Sequence, residues 1–339
     1  MMTWESLDWE ALDRLRAGFL SGTAIEGPYW KSRSDLEVYD LTYAERIGWK
    51  WDAVLRELRL RDFKLEPVNG RKLRALDWGC GSGVAGRRVI DAWGESTFER
   101  FSVFDHSSLA QDFARDRARI AFPHLKTDIW TEAENSEVID VLIVSHVLNE
   151  LSERVAGLLR AQMLRSRYIL WVEPGTHGVS RQLQQWRDDF RPHFHVVAPC
   201  THTAPCGLRA PGNEQHWCHH FAPAPSGVFS DRNWVKFGQR AGIDLRSLPY
   251  SFLVLAPLEG SMKQGANSRV IGRPQHFKPY ARVLNCDAEG VCELNVTKRT
   301  TPALFKHLDK TRDPLLYTWS HDHQQVIQGH PYPEKSSSV

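Results

Sequence analysis

The sequence predicts an α/β protein built on a parallel sheet covered on both faces. Two observations carry this prediction. From Leu73 onward, short apolar runs at 73–78, 101–104, 138–145 and 168–172 alternate with amphipathic segments at 84–93, 108–120 and 150–164. This is the pattern of parallel strands joined by crossover helices. At the first such junction a glycine-rich turn, Leu76-Asp77-Trp78-Gly79-Cys80-Gly81-Ser82-Gly83, hands an apolar strand over to a helix.

The elements follow in chain order. Residues 1–70 read as helical: Leu12, Leu15, Phe19 and Leu20 fall at helical spacing, and Ser34-Asp35-Leu36-Glu37 opens a helix running towards Leu60. Pro67-Val68-Asn69-Gly70 punctuates them before the strand–helix alternation begins. After about residue 198, Pro, His and Cys crowd the stretch 199–225, an irregular segment that needs an organiser. A helix is expected at 231–241 and an apolar run at 250–257. A hairpin is expected at 281–298, turning at Asp287-Ala288-Glu289-Gly290. The expected organisation is a helical cap over 1–70, a core over 71–198, a cysteine-bearing extension over 199–328 and a polar, frayed tail over 329–339. No internal repeat is visible.

Composition narrows the class. In 339 residues, hydrophobic side chains make up 42% and charged ones 25%, a globular balance that excludes a disordered chain. With 43 Lys+Arg against 41 Asp+Glu, the net charge of +2 names no partner. The segment Met1-Met2-Thr3-Trp4-Glu5-Ser6-Leu7-Asp8 is acidic where a signal or transit peptide would be basic. The apolar runs fall far short of the ~20 residues of a membrane span. A cytoplasmic location is expected, and there six Cys point to metal ligation or chemistry rather than disulfides.

Glycines at a strand–helix turn let the backbone approach a ligand while the helix N-terminus presents free N–H groups. Downstream, Asp105 ends the next strand with a carboxylate suited to two ribose hydroxyls, and Asp128 is placed to receive an adenine amino group. Gly81-Ser82-Gly83-Val84-Ala85-Gly86 formally satisfies the dinucleotide pattern G-x-G-x-x-G. The alternation of Asp77, Gly79, Gly81 and Gly83, however, resembles the S-adenosylmethionine loop of class I methyltransferases. A carboxylate is tolerable beside a methionine-like zwitterion and repulsive beside a pyrophosphate, so the methyltransferase-type reading leads. No catalytic group is evident. The Asn/Asp-Pro-Pro-aromatic motif of base-nitrogen methylation is replaced by Ser145-His146-Val147-Leu148-Asn149-Glu150, in which His146 is a weak candidate general base. Cys80, inside the loop, fits a small packing role.

The other five cysteines lie in the second half: Cys200, Cys206 and Cys218 within nineteen residues, and Cys286 and Cys292 flanking the later hairpin turn. Three thiols from one segment and a fourth from the hairpin suit a closed four-thiolate site that staples the segment. The spacing fits no common zinc pattern, and all-thiolate ligation suits zinc and an iron–sulfur cluster alike. His202, His216, His219 and His220 are possible substitute ligands, more in keeping with outer-shell or surface roles.

Taken together, these motifs resemble the methyltransferase-like assembly factors of the small ribosomal subunit found in mitochondria and bacteria. The resemblance covers roughly residues 35–300. It rests on the glycine loop, the 145–151 junction, Val172-Glu173-Pro174-Gly175-Thr176, Ala198-Pro199-Cys200-x-His202 with Cys206, Trp217-Cys218-His219, Arg269-Val270-x-x-Arg273-Pro274, and Leu284-x-Cys286 leading to Val296-Thr297-Lys298-Arg299. It implies a class I methyltransferase-like (Rossmann-like) sheet binding S-adenosylmethionine, with action on the small subunit near its rRNA. It also implies a [4Fe–4S] cluster on Cys200, Cys206, Cys218 and Cys286, leaving Cys292 spare. Membrane and DNA partners are not expected. The family pattern has Cys-Pro where this chain has Cys200-Thr201 and Cys206-Gly207, and a basic helix where it has His219-His220-Phe221-Ala222-Pro223. Between Met262 and Asp313, ten basic residues face five acidic ones, a local +5 suited to RNA phosphates. The rival from another class is a non-catalytic assembly factor with a vestigial pocket. A third reading is a zinc-stabilised methyltransferase of small molecules.

Overall fold

The computed structural model describes residues 2–21, 30–131, 138–259, 265–311 and 313–334. Of the features above, Met1, the Leu20 side chain, Lys263, Arg312 and residues 335–339 lie outside the described part. In chain order the elements are α1 (Trp9–Ser21), α2 (Arg33–Leu41), α3 (Tyr43–Leu60), β1 (Leu73–Trp78), α4 (Val84–Trp93), β2 (Phe98–Phe104), α5 (Ser108–Ala121), β3 (Lys126–Ile129), β4 (Val141–Ser145), α6 (Glu153–Leu164), β5 (Tyr168–Pro174), α7 (His177–Phe190) and β6 (Phe194–Ala198). They continue as β7 (His220–Phe221), α8 (Arg232–Ala241), β8 (Pro249–Pro257), β9 (Ser268–His276), β10 (Tyr280–Asp287), β11 (Gly290–Thr297), α9 (Pro302–Lys310), β12 (Leu316–His321) and β13 (Val326–Pro331). No helix among the described residues is long and apolar enough to cross a membrane.

The helix expected from Ser34 starts earlier and breaks. Ser32 is its N-cap, accepting from the Asp35 N–H at 3.2 Å while the Asp35 carboxylate accepts from Ser32 N–H at 3.1 Å. Thr42 leaves helical geometry and turns its hydroxyl back onto the Val38 carbonyl at 2.6 Å, so α2 and α3 are separate. The expected strand–helix alternation from Leu73 to Val172 forms, with one further short strand, β3, between α5 and β4, and with β4 and α6 starting at Val141 and Glu153 rather than at 138 and 150.

Two compact units divide the chain at places other than residues 70, 198 and 328. The first comprises 1–55, 64–172 and 222–248; the second comprises 56–63, 173–221 and 249–339. The first unit contains the parallel strands in the order β3-β2-β1-β4-β5. Strands β1 and β4 are buried almost throughout, as a sheet covered on both faces requires. This order, with the glycine turn after β1, is that of a class I methyltransferase-like α/β sheet. The segment after residue 221 returns to this unit as α8, capped by Asp231 at its start and closed by Gly242 at φ +64°.

In the second unit, β8 pairs antiparallel with β6 and β7. A further antiparallel sheet runs β11-β10-β9-β12-β13, of which only the β10–β11 hairpin was anticipated. Its core is Val283, Leu294, Val296, Tyr317 and Trp319 under Leu304 and Leu308 of α9. Gly329, where the frayed tail is expected to begin, lies within β13 and pairs with Trp319 of β12, and residues 335–339 of that tail lie outside the described part.

Candidate functional site

In the first unit a cavity of about 550 Å³ opens at the C-terminal end of β1, a size that suits a nucleoside-containing ligand. Gly79, Gly81 and Gly83 all sit at positive φ, which carries the chain around the end of β1 into α4. At Gly83 (φ +77°) an added Cβ would also lie 2.9 Å from that of Ala114. At Gly81 (φ +51°) the space above is open, the nearest atom being Tyr39 Cε1 at 4.0 Å. Gly81 is therefore required by backbone conformation and by the room it leaves in the cavity.

The acidic residues of the loop differ in their tasks. Asp77 is fully buried, and its Oδ2 accepts from the Gly86 N–H at 2.9 Å while Oδ1 has no partner. Burial pushes its pKa up to about 7, which the Gly86 hydrogen bond only partly opposes. Asp105 lines the cavity; its Oδ2 accepts from the Gly81 N–H and its Oδ1 from the Ser107 N–H, at 2.9 and 3.0 Å. Each oxygen keeps a further lone pair for a hydroxyl. Asp128 is turned to Arg100 Nε and the Ser102 hydroxyl, both at 2.7 Å. The wall on that side is formed instead by Trp78, Phe104 and Trp130, with ring centroids 5.3–5.7 Å apart. Trp130 lies two residues past Asp128.

Ser145, His146, Val147 and Glu150 line the same cavity. His146 is held at φ +57° with its Nε2 3.4 Å from Lys50 Nζ. Burial, then the charges of Lys50 and Arg46, keep its pKa well below the ordinary histidine value. The imidazole is neutral, and a Lys50 ammonium facing Nε2 occupies the lone pair a general base would use. Cys80 is buried in the loop wall, and its thiol is held neutral by burial and by Asp105 and Asp77.

In the second unit Cys200, Cys206, Cys218 and Cys286 converge. Burial first, and then the Cys200 sulfur, raises the pKa of Cys206 to about 11 and those of Cys218 and Cys286 further. Cys286 also feels Cys206 and Cys218. Strand geometry puts Cys286 and Cys292 on different faces of the hairpin. Ala281, Val283, Asn285 and Asp287 of β10 are buried while the residues between them are not, so Cys286 points to the opposite face from Asn285. Cys292 is paired directly with Asn285 and packs beside the α9-covered core, away from Cys286.

The irregular segment around these cysteines is organised by arginines that take up its carbonyls. Arg61 donates to the carbonyls of Val197, Pro199 and Cys200 at 2.9–3.1 Å. Arg181 serves Leu208, Asn213 and His216. Arg269 serves Pro199 at 3.0 Å, and Asp188 accepts from the Cys206 N–H at 3.1 Å. Glu57, fully buried, joins Arg61 and Arg269. Burial alone would raise the Glu57 pKa, but the two guanidiniums hold it below its usual value. Arg187, Arg61 and Arg269 place three guanidiniums near the thiols, with Glu57, Asp188 and Asp287 as their acidic counterparts. Two of the four histidines considered, His202 and His220, lie beside these sulfurs. His202 Nε2 lies 3.7 Å from Cys286 Sγ, and His220 Nε2 lies 3.6 Å from Cys218 Sγ. The Trp217 indole donates to the Gly175 carbonyl at 2.9 Å, and the Ser251 hydroxyl to the Cys218 carbonyl at 2.8 Å. Three segments of the sequence reading are thereby joined at one place. Glu57, in the last turn of α3, and Arg61, just past its end, are four residues apart, and nothing in that local spacing points to the distant carbonyls they organise.

Among the described residues, the grouping with ligand atoms all within 4.8 Å of one another is Cys292, His321 and His323, none of the four convergent cysteines.

A family model described as mitochondrial small ribosomal subunit Rsm22 matches residues 38–313. No curated protein matches the chain. Among solved structures, an uncharacterised Listeria monocytogenes protein aligns at 10% identity over 56% of this chain and 63% of its own, with a TM-score of 0.33. The plantazolicin methyltransferase BpumL in complex with SAH aligns at 10% identity over 73% of this chain and 99% of its own, TM-score 0.39. A precorrin-6y methyltransferase from Geobacter metallireducens aligns at 11% identity over 59% and 86%, TM-score 0.35. These likenesses are too loose to carry a ligand or substrate across.

Proposed function

The chain belongs to the Rsm22 family of the mitochondrial small ribosomal subunit, and from that premise we propose that it acts on the small subunit as an S-adenosylmethionine-binding protein with a [4Fe–4S] cluster. The observation that carries the reading is the approach of Cys200, Cys206, Cys218 and Cys286, drawn from positions up to 86 residues apart (286 minus 200), beside the guanidiniums of Arg187, Arg61 and Arg269. Four thiolates on a metal centre carry net negative charge, which Arg187, Arg61 and Arg269 offset. The choice of an iron–sulfur cluster over a single zinc ion rests on the resemblance of the cysteine motifs to the family pattern, since all-thiolate ligation suits both. The cluster would hold the arginine-capped segment in shape, with His202 and His220 beside two of its sulfurs.

The residues of the first unit fit the nucleoside cofactor. Asp105 would receive ribose hydroxyls, the Trp78–Phe104–Trp130 wall an adenine ring, and the Gly79–Gly83 backbone the methionine portion. S-adenosylmethionine supplies an electrophilic methyl group. This chain's residues supply position and exclusion of water, which is the main lever available without a free base. His146, neutral and facing Lys50, favours the reading in which methyl transfer is slow or lost and the protein serves assembly.

The RNA contact would be the basic side of the second unit. Arg269, counted in the local surplus, is buried on Glu57 and drops out. Arg273, Lys278, Lys298, Arg299, Lys306 and Lys310 are exposed. Phe277, 43% exposed and stacked on Tyr280 at 4.8 Å with Arg282 over its ring, offers a base-stacking platform among them. The test is transfer of a radiolabelled methyl group to immature small subunits, with cofactor and subunit binding measured in parallel. Incorporation establishes the enzyme. Binding of both without incorporation establishes the assembly factor, and binding of neither refutes the proposal.

A further inference from the structure

The β10–β11 hairpin carries a second thiol that the proposed cluster does not use. Cys292 Sγ and one ring nitrogen each from His321 and His323 all lie within 4.8 Å of one another, close enough to share one ion. His321 ends β12 and His323 follows it in the turn to β13. The His321 ring is already oriented: its Nε2 lies 2.9 Å from Asp287 Oδ2, an atom that also accepts from Asn285 Nδ2 at 2.6 Å. A carboxylate behind Nε2 leaves the Nδ1 lone pair as the ligand, the usual arrangement of a metal-bound histidine. That lone pair now accepts a long bond, 3.3 Å, from the His323 N–H. Behind His323 stands Glu289, 3.7 Å from Nε2.

The location gives an ion a purpose. Strands β11 and β13 are the two edges of the five-stranded sheet, yet Asn295 of β11 bridges to Gln325 of the β12–β13 turn. The sheet thus curls until its edges approach, and Cys292 and the two histidines face each other across that seam.

We propose that Cys292, His321 and His323 bind one zinc ion that clasps this seam, with a water in the fourth position. One sulfur and two imidazole nitrogens suit zinc and exclude magnesium and calcium, which take oxygen ligands. On binding, the Cys292 thiol gives its proton to solvent and its sulfur bonds the metal.

The test is zinc titration of the full chain, purified anaerobically and stripped with chelator, against a chromophoric competitor, with iron and sulfide measured in the same samples. The expected result is one zinc whose affinity falls more than about 100-fold in Cys292→Ser and in His323→Ala, beyond the loss an outer-shell partner produces. Iron and sulfide stay unchanged in both. The His323 side chain is 69% exposed, so His323→Ala keeps the fold. Cobalt in place of zinc should give a sulfur-to-metal charge-transfer band that Cys292→Ser removes. Unchanged zinc affinity in both variants, absence of the cobalt–sulfur band, or joint loss of iron and zinc in Cys292→Ser overturns the proposal. Failure of the cluster reading looks different: zinc in place of iron on the other four cysteines, with Cys292→Ser removing one zinc and leaving the other.

Discussion

Replacing Glu57 by Gln should unfold the cysteine-bearing unit more readily than any surface charge change, and should release the proposed cluster. The Glu57 carboxylate is fully buried and accepts from Arg269 Nη1 and Nη2 at 2.6 and 2.9 Å and from Arg61 Nε at 2.9 Å. Gln keeps the shape and removes the charge, leaving two guanidiniums 4% and 13% exposed with their mutual repulsion uncompensated. Breaking a buried ion pair at one partner costs about 3–5 kcal/mol. That corresponds to a roughly 150- to 5,000-fold shift toward the unfolded state. The same two arginines hold the carbonyls of Val197, Pro199 and Cys200, so the strand-to-loop passage into Cys200 loosens with them. The assay is urea unfolding of the metal-loaded protein, with iron retention followed at sub-denaturing urea. Asp244→Asn, which removes an exposed pair with Arg246, is the control and should cost less than about 1 kcal/mol. The pH dependence has a definite sign. The folded pKa of Glu57 lies below 4.5, so its contribution is complete above that pH and is lost as pH falls through the folded value. Glu57→Gln should lack that acid limb. A cost equal to the control, or full iron retention in the destabilised variant, would refute the assignment of this trio as the organiser of the cysteine segment.

Asp77 has the opposite sign. With a folded pKa near 7 against 3.8, its contribution is full below pH 4 and is lost as pH rises to 7. Asp77→Asn should therefore stabilise the protein by about 2–4 kcal/mol at pH 8 and little at pH 4, read by thermal melts across pH. Asp105→Ala should weaken S-adenosylmethionine binding about 10- to 100-fold by calorimetry without lowering stability comparably, since it removes charge-assisted hydrogen bonds to hydroxyls; unchanged affinity contradicts the ribose role. Gly175→Ala places a Cβ 2.6 Å from the Tyr250 nitrogen and should cost about 1–3 kcal/mol in urea unfolding, the Trp217–Cys218 turn loosening with it. Phe277→Ala should weaken single-stranded RNA binding at all salt concentrations, whereas Lys278→Ala should reduce the log–log salt slope by about 0.7.

The parallel half was legible because its signals are local: buried strands are continuous apolar runs, and the glycine turn announces itself between strand and helix. The four thiols stand out in the sequence for a different reason, chemical rarity. What escaped was whatever depends on pairing across distance. The five-stranded sheet alternates core residues with arginines and histidines, and β12 and β13 are joined by a turn with no Asn-Gly or Asp-Gly signal. Asp128 carried the expected residue type at the expected strand, but Arg100 and Ser102, on the neighbouring strand β2, claim it. The face to which Cys292 points follows from a register that only the paired hairpin defines. Glu57 and Arg61 declare a helix pair, and nothing in their neighbourhood declares Arg269, 212 residues beyond Glu57.

The most direct measurement is the iron and acid-labile sulfide content of the anaerobically purified chain, alongside Cys286→Ser and Cys292→Ser. The expected content is about four irons and four sulfides per chain, lost in Cys286→Ser and kept in Cys292→Ser. A colourless protein without sulfide, or equal loss of iron from the two variants, would contradict it.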